Sequence, residues 1–438
     1  MAPRPTMSLS AKGVVMNGLK ARTTGFVVVV ACALAGAAAT PAFAVGGDLD
    51  PDFGGDGKVT TVFAAGSGGA HAMVVQSDGK IVAVGSAGQG FALARYRSDG
   101  SLDPTFSGDG KAVTNFAGAT CGGANAVAVQ MNGKIVTAGR VSFGSGCSRS
   151  RFALLRYTQN GGLDPSFGNG GRVLTRFGGD SANGVAVQSD GRIVAVGGGG
   201  ILGGFAVARY RTDGTLDTSF AGDGKMRNGR GLGFSAANGV TIQADGKILA
   251  VGDVDFFGFA IARYNRNGTL DSSFGNGGQV STTVGAGEGG ANASVIQPNG
   301  KIVVAGSTDQ PHEGGDTYGP SKFALIRYRA DGTLDPTFGH SGRVKTRFGT
   351  DGSGANGVTM DHGQIVAAGY SGGISRFALA RYDLEGTLDT SFGNAGKVTT
   401  AFKQGETMAN GVIAQPNGDI VAAGWSGQGF ALARYLSS

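Results

Sequence analysis

Two charged residue types recur at fixed places in this 438-residue chain and are the first candidates for chemistry. Arg95, Arg156, Arg209, Arg263, Arg327, Arg381 and Arg434 each stand next to last in a Phe-Ala-Leu-Ala-Arg-Tyr-like segment. Asp50, Asp103, Asp164, Asp217, Asp271, Asp335 and Asp389 each follow Leu in a Leu-Asp-x-x-Phe signature. Arg alternates onto the strand face that carries Phe and Leu, so once covered it needs an acceptor. An Asp a few residues on satisfies both charges and fixes the intervening turn. The pattern therefore predicts one structural ion pair per copy: Arg95 with Asp103, Arg156 with Asp164, Arg209 with Asp217, Arg263 with Asp271, Arg327 with Asp335 and Arg381 with Asp389. The rival reading, a ring of acids for a metal or a substrate, is weaker, because a site wants a unique constellation and these come seven at a time.

A third recurrent group is neutral. Asn125, Asn183, Asn238, Asn292, Asn356 and Asn410 open equivalent strands, and His71 takes that place in the remaining copy. These side chains are candidate ligand-binding residues at the mouth of a central channel. Bonding of these amides to turn backbone is the favoured reading of the two. The acidic turn typified by Asp99-Gly100-Ser101-Leu102-Asp103 suggests calcium, but it lacks the alternating carboxylates and distal Glu of an EF-hand loop. No metal site and no cofactor are read from the sequence, with calcium the one ion kept open.

The copies that carry these residues start near 49, 102, 163, 216, 270, 334 and 388. Each continues through a Gly-Lys-Val-like segment, an Ala-Asn-Gly-Val-Ala-Val-Gln-like segment, a Lys-Ile-Val-Ala-Val-Gly-like segment and Phe-Ala-Leu-Ala-Arg-Tyr. β-branched runs bounded by Gly, Asn and Asp are strand grammar, and Asp-Gly or Asn-Gly marks the hairpins between them. A four-stranded unit cannot bury both faces alone, so the copies must stack. The expectation is an all-β, seven-bladed β-propeller of four-stranded antiparallel blades over residues 45–438. The last copy ends at its third strand, so the spare segment at residues 57–63 is expected to complete it and close the ring. A parallel β-helix has much shorter rungs than this period.

The period, the Leu-Asp-Pro-x-Phe-Gly start, the Asp-Gly-Lys-Ile-Val hairpin and the Phe-Ala-Leu-Ala-Arg-Tyr end resemble the delta-60 repeat family of bacterial β-propeller proteins. The resemblance covers the chain from Asp48 to Tyr435. It implies a secreted or surface-associated repeat protein and no established biochemical activity.

Departures from the repeat carry the best hints of recognition, since shared residues build blades. Residues 140–151 and 307–322 enlarge the connection between the second and third strands in two copies. They supply the candidates Phe143, Arg149, His312, Glu313, Asp316 and Tyr318. Cys121 lies near the first insertion, which holds Cys147, and the two are a disulfide candidate.

The amino terminus reads as an export signal. Arg4, Lys12, Lys20 and Arg22 precede an apolar run over residues 25–39, and Ala42-Phe43-Ala44 is a cleavage site. Lipidation at Cys32 is the alternative. Of 37 basic and 31 acidic residues, these four fall in the leader, which leaves 33 against 31. That balance gives no reason to expect a nucleic-acid partner. The expected protein is a secreted or surface-associated monomer with no membrane span after cleavage.

Only four His occur, and neither a nucleophile elbow nor a phosphate-cradling glycine loop is read from the chain. A non-enzymatic binding or scaffold protein for an extracellular glycan, peptide or cell-wall component is the leading expectation. A secreted polysaccharide hydrolase using channel carboxylates is the alternative. A surface spacer without a ligand is the third.

Overall fold

A computed structural model describes residues 45–437 apart from 67, 178–180, 199–202, 229–233, 255–257, 285–288, 312–317, 373–375, 404 and 428. The export signal and Cys32 lie outside the described residues. Residues Ala44–Ser438 form one compact unit.

Every described strand pairs antiparallel with its neighbours. In one unit, Cys121–Val129, Ile135–Ser142 and Ser150–Tyr157 of the second copy and Arg172–Thr175 of the third form a meander in that order. Five further four-stranded sheets repeat this plan, and two of them share one bridge at Gly198 and Ala236. The remaining sheet takes three strands from the carboxyl end and one from the amino end. Lys58–Thr61 pairs with Gly429–Tyr435, with Lys58 opposite Ala433 and Thr61 opposite Phe430. Gly79, Gly133 and Gly246 adopt φ of 79°, 75° and 80° at the hairpin between first and second strands, where a side chain would be strained. One short 3₁₀ turn, Ser145–Cys147, interrupts the all-β pattern among the described residues.

The core lies between sheets. Alternation in the third strand sends Phe152 and Leu154 toward the following unit, where they meet Ala182, Ala195 and Ala206. Ala153 and Leu155 face the preceding unit and meet Val82 and Leu93. Large residues thus leave one face and smaller ones the other, so adjacent sheets interlock at crystal-like density. The same arrangement joins the last unit to the first: Phe430 and Leu432 pack with Ala70, Ala83 and Ala92. First strands touch in sequence from Ala70–Val75 to Thr407–Ala414, and the last of them touches the first.

Candidate functional site

The first strand of each unit shifts register at His71, Asn125, Asn183, Asn238, Asn292, Asn356 or Asn410, and the strand of Asn238 shifts once more between Phe234 and Ala237. A bulge leaves its residue out of the ladder and re-aims the side chain. Here the side chain reaches the next unit's backbone. Asn125 Nδ2 donates to the carbonyl of Ala182 at 2.9 Å, Asn183 to Ala237 at 3.0 Å and Asn238 to Ala291 at 3.0 Å. Asn292 donates to Ala355 at 2.9 Å, Asn356 to Ala409 at 2.8 Å and Asn410 to Ala70 at 2.7 Å. His71 Nδ1 completes the series with the carbonyl of Ala124 at 2.7 Å.

A carbonyl only accepts, so each amide must offer Nδ2 and His71 must carry its proton on Nδ1. The atoms left over are acceptors: Asn Oδ1 and His71 Nε2. Burial holds the His71 imidazole below its ordinary pKa, against the bond to Ala124, and Arg140 pushes in the same direction.

The recurrent Arg residues are committed in the same blade-to-blade manner. Arg156 Nε donates to Asp164 Oδ2 at 2.7 Å, Nη2 to Ser166 at 3.0 Å and Nη1 to the carbonyl of Thr212 in the next unit's turn. Its guanidinium also lies 4.6 Å over the Phe167 ring. Arg95 with Asp103, Arg209 with Asp217, Arg263 with Asp271, Arg327 with Asp335 and Arg381 with Asp389 repeat the pair at 2.7–2.9 Å. Arg434 finds Asp50, 384 positions away, at 2.7 Å. In several units the hairpin cation joins as well, as with Lys134 on Asp164 at 2.8 Å and Lys301 on Asp335 at 2.9 Å. Burial alone would raise Asp103, but bonds from Thr105 and the charges of Arg95 and Lys80 hold it at about 2. Each of these carboxylates is held by protein cations, and all but the half-buried Asp389 are buried.

One position was not singled out by sequence reasoning. The residue after the glycine that closes each Val-Gly or Ala-Gly in the second strand is Ser86, Arg140, Gly198, Asp253, Ser307, Tyr370 or Trp425. Six residue types fill seven equivalent places. Superposing the repeats and asking where they disagree would have found it. The position abuts the next unit just before its Asn or His: Ser86 against Gly123, Asp253 against Gly290 and Trp425 against Gly69. Asp253 Oδ2 accepts from Asn238 Nδ2 at 3.1 Å, and burial pushes its carboxyl up to about 6 despite that bond.

Arg140 opens into a cavity of about 470 Å³ lined also by His71, Ser86, Gln89, Thr120, Asn125, Ser181, Asn183 and the Cys121–Cys147 bridge. The bridged Cα atoms are 5.5 Å apart. Thr120 Oγ1 donates to the carbonyl of Gly144 at 2.7 Å, which ties the same rim. Three residues chosen from sequence, His71, Asn125 and Asn183, therefore share one cavity with the first insertion. Phe143 is half-buried against the core, and Arg151 lies 4.9 Å over its ring. Arg149 is exposed with φ of 57°.

The second insertion differs from its expected form. Its flanks continue the ladder, Gln310 opposite Gly319 and Pro311 opposite Tyr318, so most of the extra length is a longer hairpin and not an open loop. His312, Glu313 and Asp316 lie outside the described residues, and Tyr318 begins the returning strand. A larger cavity, about 710 Å³, is lined by Gly47, Phe348, Asp351, Arg376 and Lys397 and holds none of the channel-mouth residues.

A correction concerns Gly369-Tyr370-Ser371-Gly372-Gly373, which has the letters of a Gly-x-Ser-x-Gly elbow although the sequence reading found none. A working elbow is a strand-to-helix turn with an exposed Ser. Ser371 instead ends the strand Gln364–Ser371, pairs with Ser353 and Arg376, and is buried. Among the described residues no group of three His, Cys, Asp or Glu could hold a metal ion.

The model of the family described as "Domain of unknown function (DUF5122) beta-propeller" matches residues 76–106, 130–167, 188–220, 243–274, 314–338 and 363–392. This is a repeat β-propeller protein. The propeller is similar to a solved streptogramin B lyase at 10% identity and a TM-score of 0.51, covering 86% of this chain and 97% of that one. Virginiamycin B lyase from Staphylococcus aureus is similar at 9% identity and 0.51, covering 86% and 98%. A Kuenenia stuttgartiensis hydrazine synthase chain is similar at 13% identity and 0.52, covering 84% and 96%. At such identities the likeness is one of fold. No curated protein matches the propeller.

Proposed function

We propose that the protein is an exported, monomeric, non-enzymatic binding or scaffold module: a closed seven-bladed propeller whose recognition face carries the channel mouth and the two insertions. The observation that carries this reading is a division of labour among polar groups. The recurrent Arg and Asn side chains are bonded to the next unit and the recurrent Asp to its own Arg, whereas the copy-specific Arg140 and the leftover acceptors of His71, Asn125 and Asn183 meet in one cavity. Pairing of Lys58–Thr61 with Gly429–Tyr435 and contact between the last and first inner strands favour the closed wheel. The Cys121–Cys147 bridge suits an oxidising compartment, in keeping with the leader expected in residues 1–44. Cell-wall polymer or another extracellular glycan is the ligand class in view.

The test is co-sedimentation of purified residues 45–438 with insoluble wall fractions. A Cys121→Ser variant lacking residues 143–149 and 312–317 should keep its strand spectrum and lose sedimentation. Unchanged sedimentation of that variant places recognition elsewhere. Release of new sugar ends, abolished by one Asp or Glu substitution, would replace this reading with the hydrolase alternative.

A further inference from the structure

We propose that the Arg140 cavity binds an acidic sugar, a carboxylate flanked by hydroxyl groups; the proposal rests on the recognition face described above. The cavity, about 470 Å³, lies within the range of small-ligand sites. Arg140 is exposed at its edge, and no hydrogen bond or ion pair joins its guanidinium to another described residue. That sets it apart from the seven recurrent Arg residues, each of which holds an Asp. A free guanidinium fork in a concave site matches a carboxylate in both charge and geometry.

The remaining lining decides between kinds of anion. Asn125 and Asn183 give Nδ2 to Ala182 and Ala237, and no donor among the described residues reaches their Oδ1 atoms. His71 gives Nδ1 to Ala124, so Nε2 is its remaining, accepting nitrogen. The cavity therefore combines one cation with the neutral acceptors of Asn125, Asn183 and His71, beside Ser86, Gln89 and Ser181, which both donate and accept. Sulfate or fully ionised phosphate offers only acceptors and would leave the two amide oxygens and the imidazole nitrogen facing like groups. A sugar acid places its carboxylate on Arg140 and donates hydroxyl protons to the amide oxygens and the imidazole. The disulfide and the Thr120–Gly144 bond hold the rim in place before the ligand arrives, which limits the ordering cost of binding.

The experiment is calorimetric titration of purified residues 45–438 at low ionic strength with D-glucuronate, D-galacturonate, D-glucose and sodium sulfate. At least one uronate should bind saturably, and Arg140→Gln should weaken it by about tenfold or more while leaving the circular dichroism spectrum unchanged. Glucose and sulfate should bind far more weakly than that uronate. The His71 ring signal, assigned with His71→Asn, should titrate at higher pH in the uronate complex, because the ligand neutralises Arg140. The proposal falls if neither uronate binds, if glucose or sulfate binds as tightly, or if Arg140→Gln binds uronate like the parent. Failure with uronates alongside retained, insertion-dependent sedimentation on wall fractions would sink this inference alone and leave the recognition face standing.

Discussion

The indole of Trp425, in the last unit, rests on Gly69 of the first, where an added Cβ would come within 2.9 Å of the Trp425 side chain. Trp425 is the single Trp of the chain, so its fluorescence reports on the meeting of the two ends. In a closed wheel the emission change on urea unfolding should coincide with loss of the strand spectrum. Gly69→Val should red-shift the emission and cost about 1–3 kcal/mol, the usual penalty for overpacking. An unshifted spectrum with unchanged stability would mean that the two residues do not meet in solution.

His71 occupies the place that Asn holds in the other six units and makes the equivalent inter-unit bond to Ala124. His71→Asn should therefore be nearly neutral in stability at pH 7.5, and His71→Ala should cost about 1 kcal/mol. The folded imidazole has a lowered pKa, so on acidification the unfolded chain takes up a proton first. Stability from this residue is intact above about pH 6.5 and declines as the pH falls through that value toward the folded pKa. Melting curves from pH 7.5 to 5 should show the parent losing stability relative to His71→Asn. A difference independent of pH would contradict the neutral, Nδ1-protonated imidazole.

Repetition made the sheets legible, because alternation in Phe152-Ala153-Leu154-Leu155 and the Gly at each hairpin are local features that seven copies restate. The Arg156–Asp164 type of pair was legible for the same reason, since eight residues and one turn separate the partners. The Asn bonds to the next unit were not, because a bulge decides where the side chain aims and no local pattern marks it. The variable position at Arg140, Asp253 and Trp425 is less visible for the opposite reason: a long insertion alters the period, whereas one residue inside a regular strand changes the lining without changing it. Extra length at residues 307–322 mostly prolongs a hairpin, so length alone misjudged the amount of new loop.

Asp253 bears the cost of a half-buried carboxylate with no cation beside it among the described residues. Burial raises its folded pKa to about 6, against the bond from Asn238, so the folded state binds a proton more readily than the unfolded one. The ionised group is a liability above about pH 6, and the liability disappears as the pH falls toward the unfolded value of 3.8. Asp253→Asn should raise stability at pH 7.5 by an amount on the order of 2 kcal/mol, with the gain fading by pH 4. Denaturant titrations at the two pH values check this. Equal effects at both would show that Asp253 finds a cation or water enough to ionise normally.

The signature carboxylates have the opposite sign. Asp103, Asp164, Asp217, Asp271, Asp335 and Asp389 all have lowered pKa values, because hydroxyl and backbone donors with Arg and Lys charges outweigh burial. Their contribution is complete above the unfolded value near 3.8 and is lost as the pH drops through the folded values, with Asp103 at about 2. Six sites titrating over one window should give a steep loss of thermal stability between about pH 4 and 2. A flat melting temperature across that window would show that the pairs contribute little beyond filling space.

Arg434 and Asp50 test whether a pair joining the chain ends behaves like one inside a unit. Arg434 Nε donates to Asp50 Oδ2 at 2.7 Å, and Arg209 Nε donates to Asp217 Oδ2 at 2.8 Å. Both guanidiniums also lie 4.9 Å over a Phe ring, Phe53 and Phe220. All four charged residues are buried, but Asp217 also holds Arg192 at 3.0 Å, whereas among the described residues Arg434 is the cation on Asp50, so losing Arg434 strands a carboxylate at a cost of about 3–5 kcal/mol. Arg434→Gln should therefore destabilise at least as much as Arg209→Gln, whose carboxylate keeps Arg192, and adding Asp50→Asn should return more of its loss than adding Asp217→Asn. Urea midpoints for the four variants measure it. If Arg434→Gln costs under about 0.5 kcal/mol while Arg209→Gln costs more, the amino-terminal strand is detached in solution and the last sheet has an open edge.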